Sequence, residues 1–307
     1  MKVIVTGSSG LIGSAAVRAF REANHDVLRL VRQPSGADSN AVFWDPEAGV
    51  LDPKALEGAD ALLHLSGANL AAGRWTTARK RLFYDSRVQS TELASKVLTG
   101  ASDPPRVWLC ASAVGYYGDR GDAVLTEADA PGSGFLPDLC VAWERATRPA
   151  ADRGIRVVHL RFGMVLSREG GAVSKLLPIF RMGLGGVLGT GRQYMSWITL
   201  RDAVRAILFA LEETRISGPV NTVAPAPVTN REFTKVLGRV LRRPTVFRAP
   251  AVALRAMYGE MADAVLLAST RAIPQKLQQH GFSFMFPDIE SGLSTCLCTA
   301  PHEEVKT

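Results

Sequence analysis

No run of ~18 consecutive apolar residues occurs anywhere in the chain, so a membrane-spanning helix is not expected. Cysteine is scarce. Four residues (Cys110, Cys140, Cys296 and Cys298) in a chain of 307 cannot form a disulfide framework. Cys296-Leu297-Cys298 lacks the two-residue spacing of a zinc pair, and only His302 stands nearby, so no metal site is expected. No basic run is interleaved with aromatics; the basic residues cluster only briefly, at Arg79-Lys80-Arg81 and Arg242-Arg243. Nucleic-acid binding is therefore not expected, and the net charge of +7 better suits attraction for small anions such as phosphorylated cofactors or substrates. Internal repeats and low-complexity tracts are also lacking. The N-terminus runs straight into a core strand, which leaves no room for a signal peptide and points to a soluble, cytoplasmic protein.

What is present starts at residue 2. Lys2 to Thr6 reads as a short, β-branched, buried strand. Gly7, Gly10 and Gly13 follow at three-residue spacing. Leu11, Ile12, Ala15, Ala16, Val17, Ala19 and Phe20 then run on with helical period. A strand, a glycine-rich turn and the N-terminus of a helix form a site for a pyrophosphate, because the first helical N–H groups lack partners and carry partial positive charge. Gly7 suits the tight turn, Gly10 the approach to phosphate, and Gly13 close packing of helix on strand. Gly7, Ser9, Gly10, Leu11, Ile12 and Gly13 are thus the first cofactor-binding candidates. Asp26 to Arg32 reads as the second strand. At its end, an acid would bind a ribose 2′-OH and an arginine would accommodate a 2′-phosphate. Arg32 stands there, which favours NADP over NAD.

Further strands are expected at Ala41–Trp44, Ala59–Gly67, Arg106–Ser112 and Ile155–Arg161, with helices at Trp75–Leu98 and Phe135–Arg153. This alternation to about residue 165 specifies a doubly wound parallel α/β sheet, a Rossmann-type fold. Beyond it, glycines crowd residues 170–191 around an apolar helix from Val173 to Met182. Tyr194–Thr199 reads as a strand, Asp202–Glu213 as a helix, and Pro219–Val223 as a strand. Asn230 is expected to cap a helix running to Leu241, and Gly281–Phe284 to be extended. Residues 1–165 are read as the cofactor domain, with 200–224 returning to it. Residues 166–199 and 225–307 are read as a smaller substrate domain.

Ligands of open α/β sheets lie beyond the carboxyl ends of the strands. That rule adds Leu65, Ser66, Gly67, Ala111, Arg161, Gly163 and Met164 to the cofactor-binding set. Ser112, Tyr116 and Tyr117 are the catalytic candidates. Tyr117 could act as general acid if the cofactor and a nearby arginine depress its pKa; otherwise both tyrosines pack the cleft wall and bind ligand. Gln193 and Trp197 are candidates for substrate contacts, as is Arg161 for a phosphate; a core Trp and a surface Arg are the plain alternatives. His64, in an apolar run, reads as a structural histidine.

Together these residues resemble the extended short-chain dehydrogenase/reductases, and within them an atypical subgroup known as epimerase-family proteins. The likeness runs through Thr6–Gly13, His64–Asn69, Arg74-Trp75-Thr76, Ser86-Arg87, Trp143-Glu144 and Arg161–Leu166. It continues through Gly183–Gly186, Gly191-Arg192-Gln193, Ser196-Trp197-Ile198, Asn221, Val228-Thr229-Asn230 and Gly259–Ala262. The resemblance implies a nicotinamide cofactor, a small C-terminal substrate domain, and a homodimer built on the helices of residues 75–98 and 135–153. It also implies a Ser, Tyr and Lys catalytic set. Aligned on Glu144 and on Tyr117-Gly118, those places hold Ala113, Leu136 and Cys140. None can exchange a proton or supply a positive charge as the usual group does. Two functions follow: an NADP-dependent oxidoreductase or epimerase acting on a sugar nucleotide or small carbonyl, or a cofactor-binding sensor or regulator without turnover. The subgroup usually has a histidine where Thr199 stands.

Overall fold

The structure is a computed structural model of the chain and describes residues 1–33 and 39–298. His302 and the last residues of the tail lie outside that range. The strands are β1 (Lys2–Thr6), β2 (Asp26–Val31), β3 (Ala41–Asp45), β4 (Val50–Leu51), β5 (Ala61–His64), β6 (Val107–Ala113), β7 (Val124–Leu125) and β8 (Arg156–Phe162). They continue as β9 (Met164–Leu166), β10 (Gly186–Leu188), β11 (Tyr194–Met195), β12 (Trp197–Thr199), β13 (Gly218–Thr222), β14 (Val228–Thr229), β15 (Phe247–Ala249) and β16 (Arg271–Ala272). The longer helices are α1 (Leu11–Glu22), α2 (Thr77–Tyr84), α3 (Ser90–Gly100), α4 (Phe135–Arg145), α5 (Arg148–Asp152), α6 (Gly171–Arg181), α7 (Leu200–Glu212) and α8 (Asn230–Leu241). Ala251–Tyr258, Gln275–Gln279 and Ile289–Cys298 are the remaining α-helices, and Pro53–Ala55, Asp85–Gln89, Val114–Tyr117 and Ala262–Leu267 are short helical turns.

Eight strands form one sheet in the order β13-β8-β6-β5-β1-β2-β3-β4, parallel throughout except for the short β4. The middle strand explains the arrangement. Val3, Ile4 and Val5 are all fully buried, so β1 is apolar on both faces, as a central parallel strand must be. The chain leaves β1 toward β2 on one side, then crosses to β5 on the other. Right-handed crossovers in opposite directions put their helices on opposite faces of the sheet. The fold is therefore the doubly wound parallel sheet expected from the sequence. α1 packs on α7 through Ala15, Ala19, Leu200 and Val204. A second apolar cluster around Trp197, Phe180, Phe233, Leu237 and Leu293 joins α6, β12, α8 and the last helix.

Several local expectations are corrected. The helix expected over residues 75–98 contains a π-turn at Asp85–Gln89, between α2 and α3. Ser86, Ser90 and Thr91 bond back to the helix's own carbonyls at Phe83, Ser86 and Arg87, a habit that loosens a helical ladder. The helix expected over residues 135–153 breaks between α4 and α5, because Pro149 has no N–H and its ring opposes the carbonyl four residues back. Tyr194–Thr199 is two strands, separated at Ser196. Thr229, not Asn230, caps α8: it forms a capping box with Glu232, while Asn230 accepts from the Leu188 N–H. Residues 281–284 belong to no strand.

The turn after β1 is tightly packed. Gly7 has φ of +65°, and a Cβ there would stand 2.6 Å from the Leu65 carbonyl oxygen. A Cβ at Gly13 would overlap the Gly7 carbonyl. Gly13→Ala should therefore lower the unfolding free energy by about 1–3 kcal/mol through overpacking. Urea denaturation beside the parent protein checks this.

Candidate functional site

The carboxyl ends of β1, β5, β6 and β8 meet where the strand order reverses. α1 opens there with no side-chain cap and no acidic residue in its first turn, and Ser9 and Gly10 are exposed beside it. Its N–H groups are thus available to an anion. Gly67 is exposed on the neighbouring loop, with Leu65 and Ser66 half-buried. Arg32 is exposed just past β2, and Ala111 is buried in β6. Gly163 and Met164 follow β8; a side chain at Gly163 would run into the Ser196 carbonyl at 2.6 Å.

Under this rim lies His64. The Thr6 hydroxyl is 2.9 Å from its Nδ1, and Thr91 and Ser90 hydroxyls are 3.1 Å and 3.3 Å from its Nε2. Thr6 also accepts the Leu65 N–H at 3.1 Å, so this histidine and threonine pin the loop that leads to Gly67. Burial holds the imidazole neutral, its pKa pulled down to about 3. His64 is structural, as its apolar setting in the sequence suggests.

A second buried network contains most of the residues expected to be catalytic. Glu144 of α4 accepts a two-pronged ion pair from Arg161, Nε to Oε1 and Nη2 to Oε2, both at 2.8 Å. Ser112 donates to the same carboxylate at 2.6 Å. Arg161 Nη1 donates to the Tyr117 hydroxyl at 2.9 Å, and that hydroxyl donates to Asn221 Oδ1 at 2.7 Å. The Asn221 orientation is set by its amide donating to the Ile273 carbonyl. Burial works against the Arg161 charge, but Glu144 and Tyr117 hold the guanidinium protonated beyond its ordinary range.

These contacts change the expected roles. Tyr117 is fully buried, and burial pushes its phenol up to about 12 despite the adjacent Arg161. Its hydroxyl is engaged on both sides, accepting from Arg161 and donating toward Asn221 Oδ1 and the Thr126 carbonyl. Ser112 is spent on Glu144, and Arg161 is spent on Glu144 and Tyr117 rather than on a ligand phosphate. Trp197 is fully buried in the second apolar cluster; its indole N–H donates to the Ala226 carbonyl, and Gly292 lies against its ring. Gln193 is buried, its amide donating to the Leu188 and Leu266 carbonyls. Neither side chain is displayed for substrate. Tyr116 differs. Its ring is half-buried, the Arg161 guanidinium stacks on it at 3.5 Å, and no hydrogen bond reaches its hydroxyl among the described residues.

Along α4, Leu136, Cys140 and Glu144 line one face at four-residue spacing. Leu136 lies against Gly115, and the Cys140 thiol points to the Ala113 carbonyl. Burial, aided by Glu144, pushes that thiol up to about 12, so it is neutral and inert. No group of His, Cys, Asp and Glu that could hold a metal occurs among the described residues. One residue was not singled out from the sequence as a site: Arg87, on the π-turn, lies under Gly67. Its only cue was a place in the Ser86-Arg87 motif.

Residues 3–222 match the model of the NAD dependent epimerase/dehydratase family. The chain belongs to that family. Residues 249–296 of this family member match a domain of unknown function, DUF1731. An epimerase family protein of Mycobacterium bovis is 51% identical over 282 residues, covering 92% of this chain and 93% of its own. The crystal structure of human epimerase family protein SDR39U1 with NADPH superposes with a TM-score of 0.91 at 31% identity, covering 98% of this chain and all (100%) of that one. A nucleoside-diphosphate sugar epimerase from Corynebacterium glutamicum superposes at 0.79 and 34% identity, over 96% of this chain and 57% of that one.

The buried His64 has a consequence for stability. Its folded pKa lies below the unfolded value of about 6.5, so the unfolded chain binds the extra proton as pH falls. Stability should be complete above pH ~6.5 and decline toward pH 3, by up to about 1.4 kcal/mol per pH unit. Urea titrations at pH 7, 5.5 and 4.5 should show this slope reduced in His64→Asn.

Proposed function

We propose that this protein binds NADP(H) and works as an oxidoreductase or epimerase on a sugar nucleotide or small carbonyl compound, without the usual Ser-Tyr-Lys set. The observation that carries the reading is the uncapped N-terminus of α1, which opens where the strand order reverses, beside exposed Ser9, Gly10 and Gly67. A pyrophosphate suits that place. Arg32, exposed at the end of β2, suits a 2′-phosphate, and no carboxylate stands at residues 31–33. The human relative with NADPH supports the same choice. The cofactor unit is residues 1–165 with 200–224, since β13 pairs with β8 and α7 packs on α1. Residues 166–199 and 225–307 are the proposed substrate unit, and its described residues Phe180, Trp197, Phe233, Leu237 and Leu293 pack in the second apolar cluster.

A bound nicotinamide supplies or accepts the hydride. The protein's own part is to position the substrate, exclude water and move a proton. Of the three hydroxyls expected to do the last, Tyr116 Oη is the one with no hydrogen-bond partner among the described residues. Arg161 against its ring fixes the ring's orientation. A dimer through α2, α3 and α4 would cover Leu82, Tyr84 and Val141, all exposed on these helices. A second reading, a cofactor-bound sensor, is favoured by Leu136 and Cys140, neither of which can titrate at neutral pH in its place.

Calorimetry with NADPH and NADH should show tighter binding of NADPH. Arg32→Ala should weaken NADPH about tenfold and leave NADH nearly unchanged, a loss of about 1.4 kcal/mol. Binding of neither cofactor by the parent protein would break the reading. In a carbonyl-reduction screen, Tyr116→Phe should lower kcat about 100-fold with the NADPH Kd unchanged. NADPH that binds tightly but is never oxidised across the screen would favour the sensor.

A further inference from the structure

Three cations meet in a groove of the proposed substrate unit, with no carboxylate among them. Arg231 and Lys235 stand one turn apart on α8, and Arg248 comes from β15, which pairs with β10 in a two-stranded ribbon. The groove between ribbon and helix measures about 260 Å³, at the small end of ligand sites. Val187, Val246 and Phe247 supply its apolar wall; Val246 is 80% exposed and Phe247 51%.

The two guanidinium groups are fixed in place. Arg248 Nε donates to the Gly189 carbonyl at 2.7 Å, and Arg231 Nη2 donates to the Thr190 carbonyl at 3.3 Å. Those carbonyls are consecutive, so one turn holds two like charges side by side. The turn is itself anchored: Gly189 donates its N–H to the Ala249 carbonyl, and Arg231 donates its N–H to the Gly191 carbonyl. Each guanidinium keeps N–H groups beyond these bonds. Lys235 has no hydrogen-bond or ion-pair partner among the described residues.

Exposed arginines elsewhere in the protein are paired: Arg239 with Glu290, Arg255 with Asp263, and Arg215 with Glu213. Around the groove the sequence supplies no such partner. Residues 233–259 contain six basic residues and neither Asp nor Glu, and residues 170–200 contain no acid. Glu232 is the one acid beside the lining residues of α8, and its carboxylate is turned back to the Thr229 N–H and hydroxyl in the capping box. Like charges held together without a counter-ion repel, and an anion between them removes that cost.

We propose that the groove between α8 and the β10–β15 ribbon is a second ligand site, taking a compound with two phosphate groups between Arg231, Lys235 and Arg248 and an apolar group on Phe247. A guanidinium fork matches phosphate oxygens, and the third cation suits a diphosphate better than a single phosphate. The exposed ring suits a base or an acyl chain. None of the cofactor-binding candidates lines the groove, so the site goes beyond the proposed cofactor chemistry. Two sources carry this ligand chemistry, a soluble nucleotide and a lipid headgroup, and the test separates them.

Inorganic pyrophosphate, and then ADP, are titrated by calorimetry into the full chain saturated with NADP+. Binding to phosphatidylcholine vesicles with and without phosphatidylinositol 4-phosphate is read by co-sedimentation. The proteins are the parent, Lys235→Met, Arg248→Met, Phe247→Ser and Arg148→Gln, all at exposed positions, with melting curves to check folding. The parent should bind pyrophosphate, and Lys235→Met and Arg248→Met should each weaken it about tenfold, with NADP+ affinity unchanged. Arg148→Gln, which removes an exposed cation elsewhere, should leave it unchanged. For a soluble nucleotide, ADP binds more tightly than pyrophosphate and Phe247→Ser weakens ADP about fivefold. For a lipid headgroup, ADP gains nothing over pyrophosphate, and vesicles with the phosphoinositide sediment the parent but not Arg248→Met or Phe247→Ser. No pyrophosphate binding by the parent, or unchanged binding in folded Lys235→Met and Arg248→Met, overturns the site. An equal loss in Arg148→Gln reduces the binding to net charge and also overturns it. Phe247→Ser without effect on ADP or vesicles overturns the apolar half of the assignment. If NADP+ does not bind but pyrophosphate is lost in Arg248→Met, the cofactor reading falls and the groove stands.

Discussion

The ion pair between Glu144 and Arg161 is the constraint on which the floor of the cleft depends. Both groups are almost wholly buried, so each would be expensive alone; removing one partner of such a pair typically costs about 3–5 kcal/mol. The pair is tolerable because its polar atoms are satisfied one by one. Ser112 fills a carboxylate position, Tyr117 takes the remaining guanidinium nitrogen, and Asn221 takes the Tyr117 proton. Asn221 in turn donates its backbone N–H to Glu127. One chain of contacts thus ties α4 to the ends of β6, β8 and β13. A partly satisfied network would be worse than an apolar core, so none of these groups is spare.

This explains why Ser112 and Tyr117, two of the catalytic candidates, are engaged within the protein. Ser112 and Tyr117 sit at the carboxyl end of a strand that ends at the cleft, where a reacting group belongs. Their hydrogen-bonding capacity is nevertheless consumed below the surface, and burial stiffens the Tyr117 proton further. The adjacent Tyr116 escapes because the short helical turn at 114–117 points consecutive side chains in different directions. Its ring lies on the outer face of Arg161 while Tyr117 lies at the guanidinium's edge.

The parts legible in the sequence were those specified locally. The first strand, its glycine turn and α1 are contiguous, and each glycine meets backbone within or beside the turn. The apolar runs of β1, β5, β6 and β8 announce strands buried on both faces. What was not legible depends on partners far along the chain. Gln193 read as a substrate contact and Trp197 as either a substrate contact or a core residue; their partners Leu266 and Ala226, which fix the buried outcome, lie 73 and 29 residues away. Arg87 entered the sequence reading only through the Ser86-Arg87 motif, because a helix of regular period was expected where the π-turn carries it inward. Thr229 was legible in principle: Glu232 three residues on completes a capping box that Asn230 cannot form.

Arg87 and Arg161 together also account for the neutral residue at position 140. The Cys140 thiol lies between them closely enough to feel both guanidinium charges, and Glu144 is the carboxylate it faces. A lysine there would bring a third cation into a buried space where that carboxylate is already engaged on both oxygens. Like charges at such range in a low dielectric repel by several kcal/mol. The lysine would have to shed its proton or displace Arg87. A neutral residue at this place of α4 and an arginine on the π-turn are then one arrangement. The Arg87 guanidinium, carried by the π-turn, lies against Gly67.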